Sequence, residues 1–261
     1  MKKKLKELFT LFGSENVRNI SKCIAIANVH NQTFGMYKNY CKGEKDIVVC
    51  GAGPSLNQYK PIEGAIHIAL NRAFLYPQVI FDFIFSQDYD GIRMVEEELV
   101  NYRPNECVKL LGTSYSCSTK CIPESLSIKA NAKKFYIDNF LKGTPDDGGM
   151  VLDIENRPIR GFNNVGQSVM QFAFYMNPRK LYIVGCDMSG SHFTQKTQNE
   201  AERKVEDDLM NSRWSNKKRT EMTLDNWRKI KRFGEIYYPD TEVISINPVG
   251  LKGMFKDVYQ N

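Results

Sequence analysis

The sequence predicts an α/β fold: one Rossmann-like domain with a mainly parallel sheet flanked by helices, plus a helical lid segment. Three observations predict it. Short apolar runs rich in β-branched residues recur along the chain at Ile47–Cys50, Ala65–Leu70, Val79–Phe85, Val108–Leu111, Leu181–Val184 and Thr241–Ile246. They lack the alternation of a half-solvated sheet, as strands covered on both faces do. Several of them run directly into glycine or into small polar residues, and helical spacing fills part of the sequence between them.

The stretch Asp46–Leu56, DIVVCGAGPSL, states the pattern most compactly. Ile47 to Cys50 read as a buried strand, and Gly51, Ala52, Gly53, Pro54 and Ser55 as a tight turn at its carboxyl end. Glycines there let the backbone turn sharply and approach a ligand. A strand that breaks into such a turn before a helix presents N–H groups suited to phosphate. The spacing is neither G-x-G-x-x-G nor a Walker A loop.

The 261 residues suffice for one large domain, and 42% hydrophobic with 11% aromatic content supports a sizeable core. A net charge of +6 suits an anionic substrate or membrane surface and is too small to argue nucleic acid. Seven scattered cysteines include one close pair, Cys117 and Cys121, and no second pair to complete a zinc set. An odd count without a secretion signal fits a reducing cytoplasm. No stretch approaches the roughly 20 apolar residues of a membrane span.

Residues 1–45 read as an N-terminal helical extension and 46–261 as the main domain, with a lid at about 194–235. In residues 1–12, Leu5, Leu8, Phe9 and Phe12 share a helix face behind Lys2, Lys3, Lys4 and Lys6. That pattern fits docking on the protein's own body or on a second subunit, as in a homo-oligomer, and also peripheral contact with a membrane. His30 and His67 read as structural. After the second strand come Asn71 and Arg72, where strand meets solvent; after the third come Ser86, Gln87 and Asp88. Residues 91–103 have helical spacing, 112–131 read as irregular, and 138–160 as a long surface loop. Asp146, Asp147 and Asp153 lie there without the spacing of a calcium loop, so no metal site is expected.

GFNNVGQS opens a buried helix, with Asn163 or Asn164 as cap and Gly166 allowing close approach. The strand Leu181–Val184 ends in Gly185 and Asp187, with Ser189 and His192 beyond. The helix N-terminus favours an anionic ligand. In the charged lid segment, which holds Trp214, the residues Trp227, Ile230 and Phe233 sit at helical spacing and read as packed inward. Gly250–Tyr259 reads as a terminal helix.

The ordered set GAGPSL, ALNRAF, NNVGQS, LYIVGCDMSGS and ISINPVG, spread over about residues 46–250, resembles the bacterial sialyltransferase-like glycosyltransferases, including the related lipopolysaccharide Kdo transferases. A kindred group of motility accessory factors and hydroxymethylpterin diphosphokinase-like proteins shares the pattern. The resemblance implies a donor made of a sugar acid activated by cytidine monophosphate (CMP), a bacterial cell-surface glycan or glycolipid acceptor, and no cofactor besides. It places Gly51, Gly53, Pro54, Ser55, Asn71, Asn164 and Gly166 at the nucleotide. Arg72 and Ser189 are read beside the departing phosphate, and Asp88 at the same cleft. It maps the strand-end aspartate to Asp187. The family's base is a lid histidine, yet residues 194–261 contain none, so His192 takes the role, with Asp187 or Asp88 as substitutes. Where the family carries tyrosine after the aspartate, this chain has Ser189. A pterin pyrophosphate transferase with magnesium on Asp88 and Asp187 is the first alternative. A non-catalytic nucleotide- or glycan-binding module is the second.

Overall fold

The computed structural model describes residues 14–114, 121–138, 149–162, 164–188, 192–193, 200, 204, 208, 212 and 215–260. The strands are β1 (Ile47–Cys50), β2 (Ile66–Leu70), β3 (Phe83–Ser86), β4 (Val108–Ser114), β5 (Lys133–Asp138), β6 (Ile159–Arg160), β7 (Lys180–Val184), β8 (Glu242–Ile246) and β9 (Lys256–Val258). They form one nine-stranded sheet in the order β6-β5-β4-β3-β2-β1-β7-β8-β9. All eight neighbouring pairs are parallel.

The helices are α1 (Ser14–Phe34), α2 (Glu96–Asn101), α3 (Glu124–Lys129), α4 (Val165–Tyr175) and α5 (Lys217–Tyr237). They cover both faces of the sheet. Ile47 and Val49 point to one core with Phe34 of α1, Phe172 of α4 and Trp227 of α5. Val48 and Cys50 point to the other, with Leu56, Phe74, Leu99 of α2 and Leu126 of α3. β1 is buried at every residue, the reason its sequence is apolar without alternation.

Helix α5 packs Trp227, Ile230 and Phe233 inward, as their spacing predicts. The N-terminal segment differs from a plain extension. Its residues His30, Phe34, Tyr37 and Cys41 are buried in the main domain. The His30 Nδ1–H donates to Ile154 O at 2.7 Å, and Nε2 accepts from Tyr136 N–H at 2.7 Å. Burial lowers the His30 pKa to about 4, so the ring is neutral and structural.

Four local readings are corrected. Residues 112–131 contain α3, short enough to escape a periodicity test. The stretch 138–160 is not all surface loop, because Met150, Val151, Ile154 and Ile159 enter the core and β6 closes the sheet edge. Residues 250–259 hold strand β9 in place of a helix; its three residues gain their hydrogen bonds from β8, not from local periodicity. The helical spacing over 91–103 yields only α2 at 96–101. Asp146, Asp147, Cys117, Trp214 and residues 1–12 lie outside the described residues.

Candidate active site at the sheet switch point

Strand β1 lies between β2 and β7, and the chain winds outward from it in both directions. The carboxyl ends of β1 and β7 therefore flank the point where strand order reverses, the place where open α/β sheets bind ligands. Gly51–Ser55 follow β1, and Gly185–Asp187 follow β7.

The two strand ends are locked together. Gly51 N–H donates to Val184 O (2.7 Å) and Gly53 N–H to Gly185 O (2.8 Å). The Asp187 carboxylate accepts from Ser55 N–H at 2.7 Å and from the Ser55 hydroxyl at 2.5 Å. Gly185 N–H in turn donates to Ser55 Oγ at 3.1 Å. Asp187 is only 4% exposed. Burial pushes its carboxyl above the usual aspartate range, and the two Ser55 bonds pull it partly back.

This geometry gives the glycines a packing role. A Cβ on Gly53 would stand 2.6 Å from both Asp187 Oδ2 and Gly185 O, and one on Gly51 would stand 2.7 Å from the Gly185 carbonyl carbon. The missing side chains make room for the Gly185–Asp187 turn that follows β7. The N–H groups of Gly51, Gly53 and Ser55 are engaged within the chain and form no phosphate cradle. Pro54 opens a five-residue 3-10 helix, Pro54–Gln58.

The other expected positions gather along the same edge. Asn71 holds a left-handed backbone (φ +51°), which asparagine tolerates better than branched residues. Its Oδ1 accepts from Ser86 Oγ at 2.9 Å, joining the ends of β2 and β3. Asp88 Oδ1 accepts from Gly91 N–H at 3.1 Å, and a Cβ on Gly91 would lie 2.6 Å from Asn71 Nδ2. Arg72, expected at the solvent boundary, is buried in the 3-10 turn Asn71–Leu75.

Asn164 caps α4, its Oδ1 accepting from Gly166 N–H at 2.9 Å. Gly166 faces both neighbouring strand ends: its Cβ direction meets Cys186 Sγ at 3.4 Å and Leu70 Cδ1 at 3.6 Å. The positive end of α4 thus stands over β2 and β7. Phe193 N–H donates to Ala52 O at 2.8 Å, and the Phe193 ring packs edge-on to Tyr76. His192 is thereby held beside the glycine turn, half-buried. Ser189 and Asn163 lie outside the described residues.

Sequence reading missed Gln87. With its amide turned so that Nε2 donates to Ser168 Oγ (2.7 Å) and Gly161 O (3.1 Å), its Oε1 accepts from Asn164 N–H at 3.2 Å. Gln87 thus ties the end of β3 to the turn that starts α4. A polar residue one step past a strand end was the only signal, and it is common to most loops. Among the described residues, no group of three histidine, cysteine, aspartate or glutamate side chains could hold a metal ion.

No family model matches the chain. No curated protein matches it either. Among solved structures it is similar to the sialyltransferase CstII from Campylobacter jejuni in complex with the substrate analogue CMP-3FNeuAc, at 14% identity over 83% of this chain and 87% of that one, with a TM-score of 0.46. It is similar also to the sialyltransferase CST-II in complex with trisaccharide acceptor and CMP (15% identity, 83% and 87% coverage, TM-score 0.42). A third structure, CstII from Campylobacter jejuni in complex with cytidine-5'-monophosphate, gives 14% identity, 77% and 79% coverage and a TM-score of 0.40.

Proposed function

We propose that the chain is a glycosyltransferase moving a sugar acid (sialic acid, another nonulosonic acid or Kdo) from a CMP-activated donor to a bacterial cell-surface glycan. One observation carries the reading. The motif residues whose order resembles that family converge on a single edge around the β1/β7 switch point, from Ser55 and Asn71 through Asn164–Gly166 to Asp187, and Asp88 and His192 lie along the same edge.

The roles differ from those the motifs alone suggest. Ser55 takes both oxygens of Asp187, so Asp187 positions the β1 and β7 turns and is a poor candidate for proton transfer. His192, held beside the glycine turn by the bond from Phe193 N–H to Ala52 O, takes the base role, since an imidazole nitrogen can accept a proton from an acceptor hydroxyl. The donor phosphate is expected beside Asn71 and the start of α4, because the glycine turn's N–H groups are already engaged. The same engagement of Asp187 counts against a magnesium site on Asp88 and Asp187, which the pyrophosphate-transfer alternative needs.

Calorimetric titration with CMP, with and without a chelator, tests the reading. CMP binding that survives the chelator is expected, with thermal stabilisation of about 2.7 kcal/mol at a hundred times Kd. Strictly magnesium-dependent ATP binding without CMP binding would refute it. Donor binding without transfer to any acceptor would leave a binding module.

A further inference from the structure

Helix α5 rises past the edge that carries the candidate site. It leads into β8, which is parallel to β7, so its N-terminus stands at the carboxyl edge of the strands and its C-terminus at the amino edge. Gln167, in the first turn of α4, donates from Nε2 to Thr223 O at 2.7 Å. Thr223 therefore marks the level at which α4 starts. Arg219 lies four residues before Thr223 and Lys217 six, so at 1.5 Å per residue they stand about 6 and 9 Å farther out.

The charge of this projecting turn runs against the helix. Lys217, Lys218 and Arg219 are successive cations, and the first turn holds no acidic residue. A helix N-terminus is the positive end of the dipole, where cations are disfavoured. Among the described residues none of these three side chains forms an ion pair. Farther along α5 the cations are answered: Lys229 pairs with Asp225 and Arg232 with Glu235. Arg219 is half-buried and shares a helix row with Thr223, Trp227 and Ile230, the buried face of α5. It thus borders the gap between the starts of α4 and α5, with exposed Lys217 and Lys218 above it. The same gap holds an unanswered acceptor. Gln167 is 0% exposed, and its Oε1 has no partner among the described residues.

We infer that the first turn of α5 binds the acidic group, carboxylate or phosphate, of a glycan acceptor. Three cations without ion-pair partners supply its counter-charge, and an anion held there also offsets their clash with the helix dipole. A sugar brings hydroxyls as well, the donors that Gln167 Oε1 lacks. The donor phosphate is expected at the strand-end level, beside Asn71 and the start of α4. The cations stand about 6–9 Å beyond that level, a span that suits the next sugar along. That this sugar is the acceptor rests on the function proposed above; the preference of the cations for an acidic glycan does not.

Retention of the full chain on a glycan array tests the assignment, in the presence of CMP and with oligosaccharides in matched pairs that carry or lack a terminal carboxylate or phosphate. The wild type is expected to hold the acidic members preferentially and to release them as salt is raised. The double variant Lys217→Gln and Lys218→Gln is expected to lose at least about tenfold of that preference, and Arg219→Gln likewise. Glutamine keeps the helix propensity of the turn, and a thermal melt identifies any variant that fails to fold. The exposed lysine pair keeps the test open should Arg219→Gln do so. Equal retention of acidic and neutral members would overturn the inference, as would retention of neither or an unchanged preference in the lysine variant. CMP affinity, read by calorimetry, should match wild type in both variants; a loss would give the cations to the donor and overturn the acceptor assignment. A wild type that binds no CMP but still prefers acidic glycans would remove the functional reading and leave the acidic-glycan site standing.

Discussion

Substituting Ser55→Ala probes the contact that joins the two halves of the sheet. The change deletes the 2.5 Å bond from the hydroxyl to Asp187 and removes the acceptor of Gly185 N–H. It leaves the 2.7 Å bond from Ser55 N–H to Asp187 Oδ2 in place. A hydrogen bond to a buried charged group contributes about 1.5–3 kcal/mol, and an orphaned backbone donor costs about 1 kcal/mol or more. Together these predict a loss of about 3 kcal/mol at neutral pH, a melting-point drop of roughly 6–12 °C for a chain of this size.

The pH dependence sharpens the test. The folded Asp187 pKa is already raised, so its contribution to stability is largest below the unfolded value of 3.8 and falls as pH rises through the folded value. Removing the hydroxyl raises the folded pKa further, because one of the two bonds favouring the ionised form is lost. The Ser55→Ala penalty must then be larger at pH 7.5 than at pH 4. Urea unfolding followed by Trp227 fluorescence at both values measures it; Trp227 is 1% exposed and reports on the core. A penalty below about 0.5 kcal/mol at pH 7.5, within the ordinary range of surface substitutions, would refute the reasoning, as would equal penalties at the two pH values.

Gly53→Ala places a methyl 2.6 Å from Asp187 Oδ2 and Gly185 O; a loss of about 3 kcal/mol or failure to fold is expected in thermal melts. His30 carries a folded pKa of about 4 against 6.5 unfolded, so the unfolded chain binds the extra proton between those values. Stability should fall by about 3 kcal/mol as pH drops across that window, and His30→Gln should flatten the corresponding part of a urea-midpoint profile. His192→Ala should leave the melting point within about 1 °C and lower transfer from a CMP-sugar donor by about 10²–10⁴-fold, as measured by product formation. Activity close to wild type would withdraw the base assignment.

Much of this architecture is legible in the chain because its strands are buried on both faces. The run Ile47–Cys50 needs no partner to be recognised, since burial at every residue demands apolar side chains throughout. The cap Asn164 and the buried helix behind it are equally local signals. What failed was short or paired elsewhere. Strand β9 exists only through β8, and α3 is six residues long.

The sequence by itself determined that strand tips rich in glycine, asparagine and aspartate stand along a parallel sheet, because covering both faces fixes composition residue by residue. Tertiary structure alone decided what those tips do to one another. Ser55 and Asp187 are 132 positions apart, and Gln87 and Ser168 are 81 apart. No local pattern encodes such pairs, since they arise only when winding outward from β1 brings distant strand ends side by side. The same closeness explains Gly51 and Gly53 by packing, since their missing side chains leave the space that Gly185 and Asp187 fill.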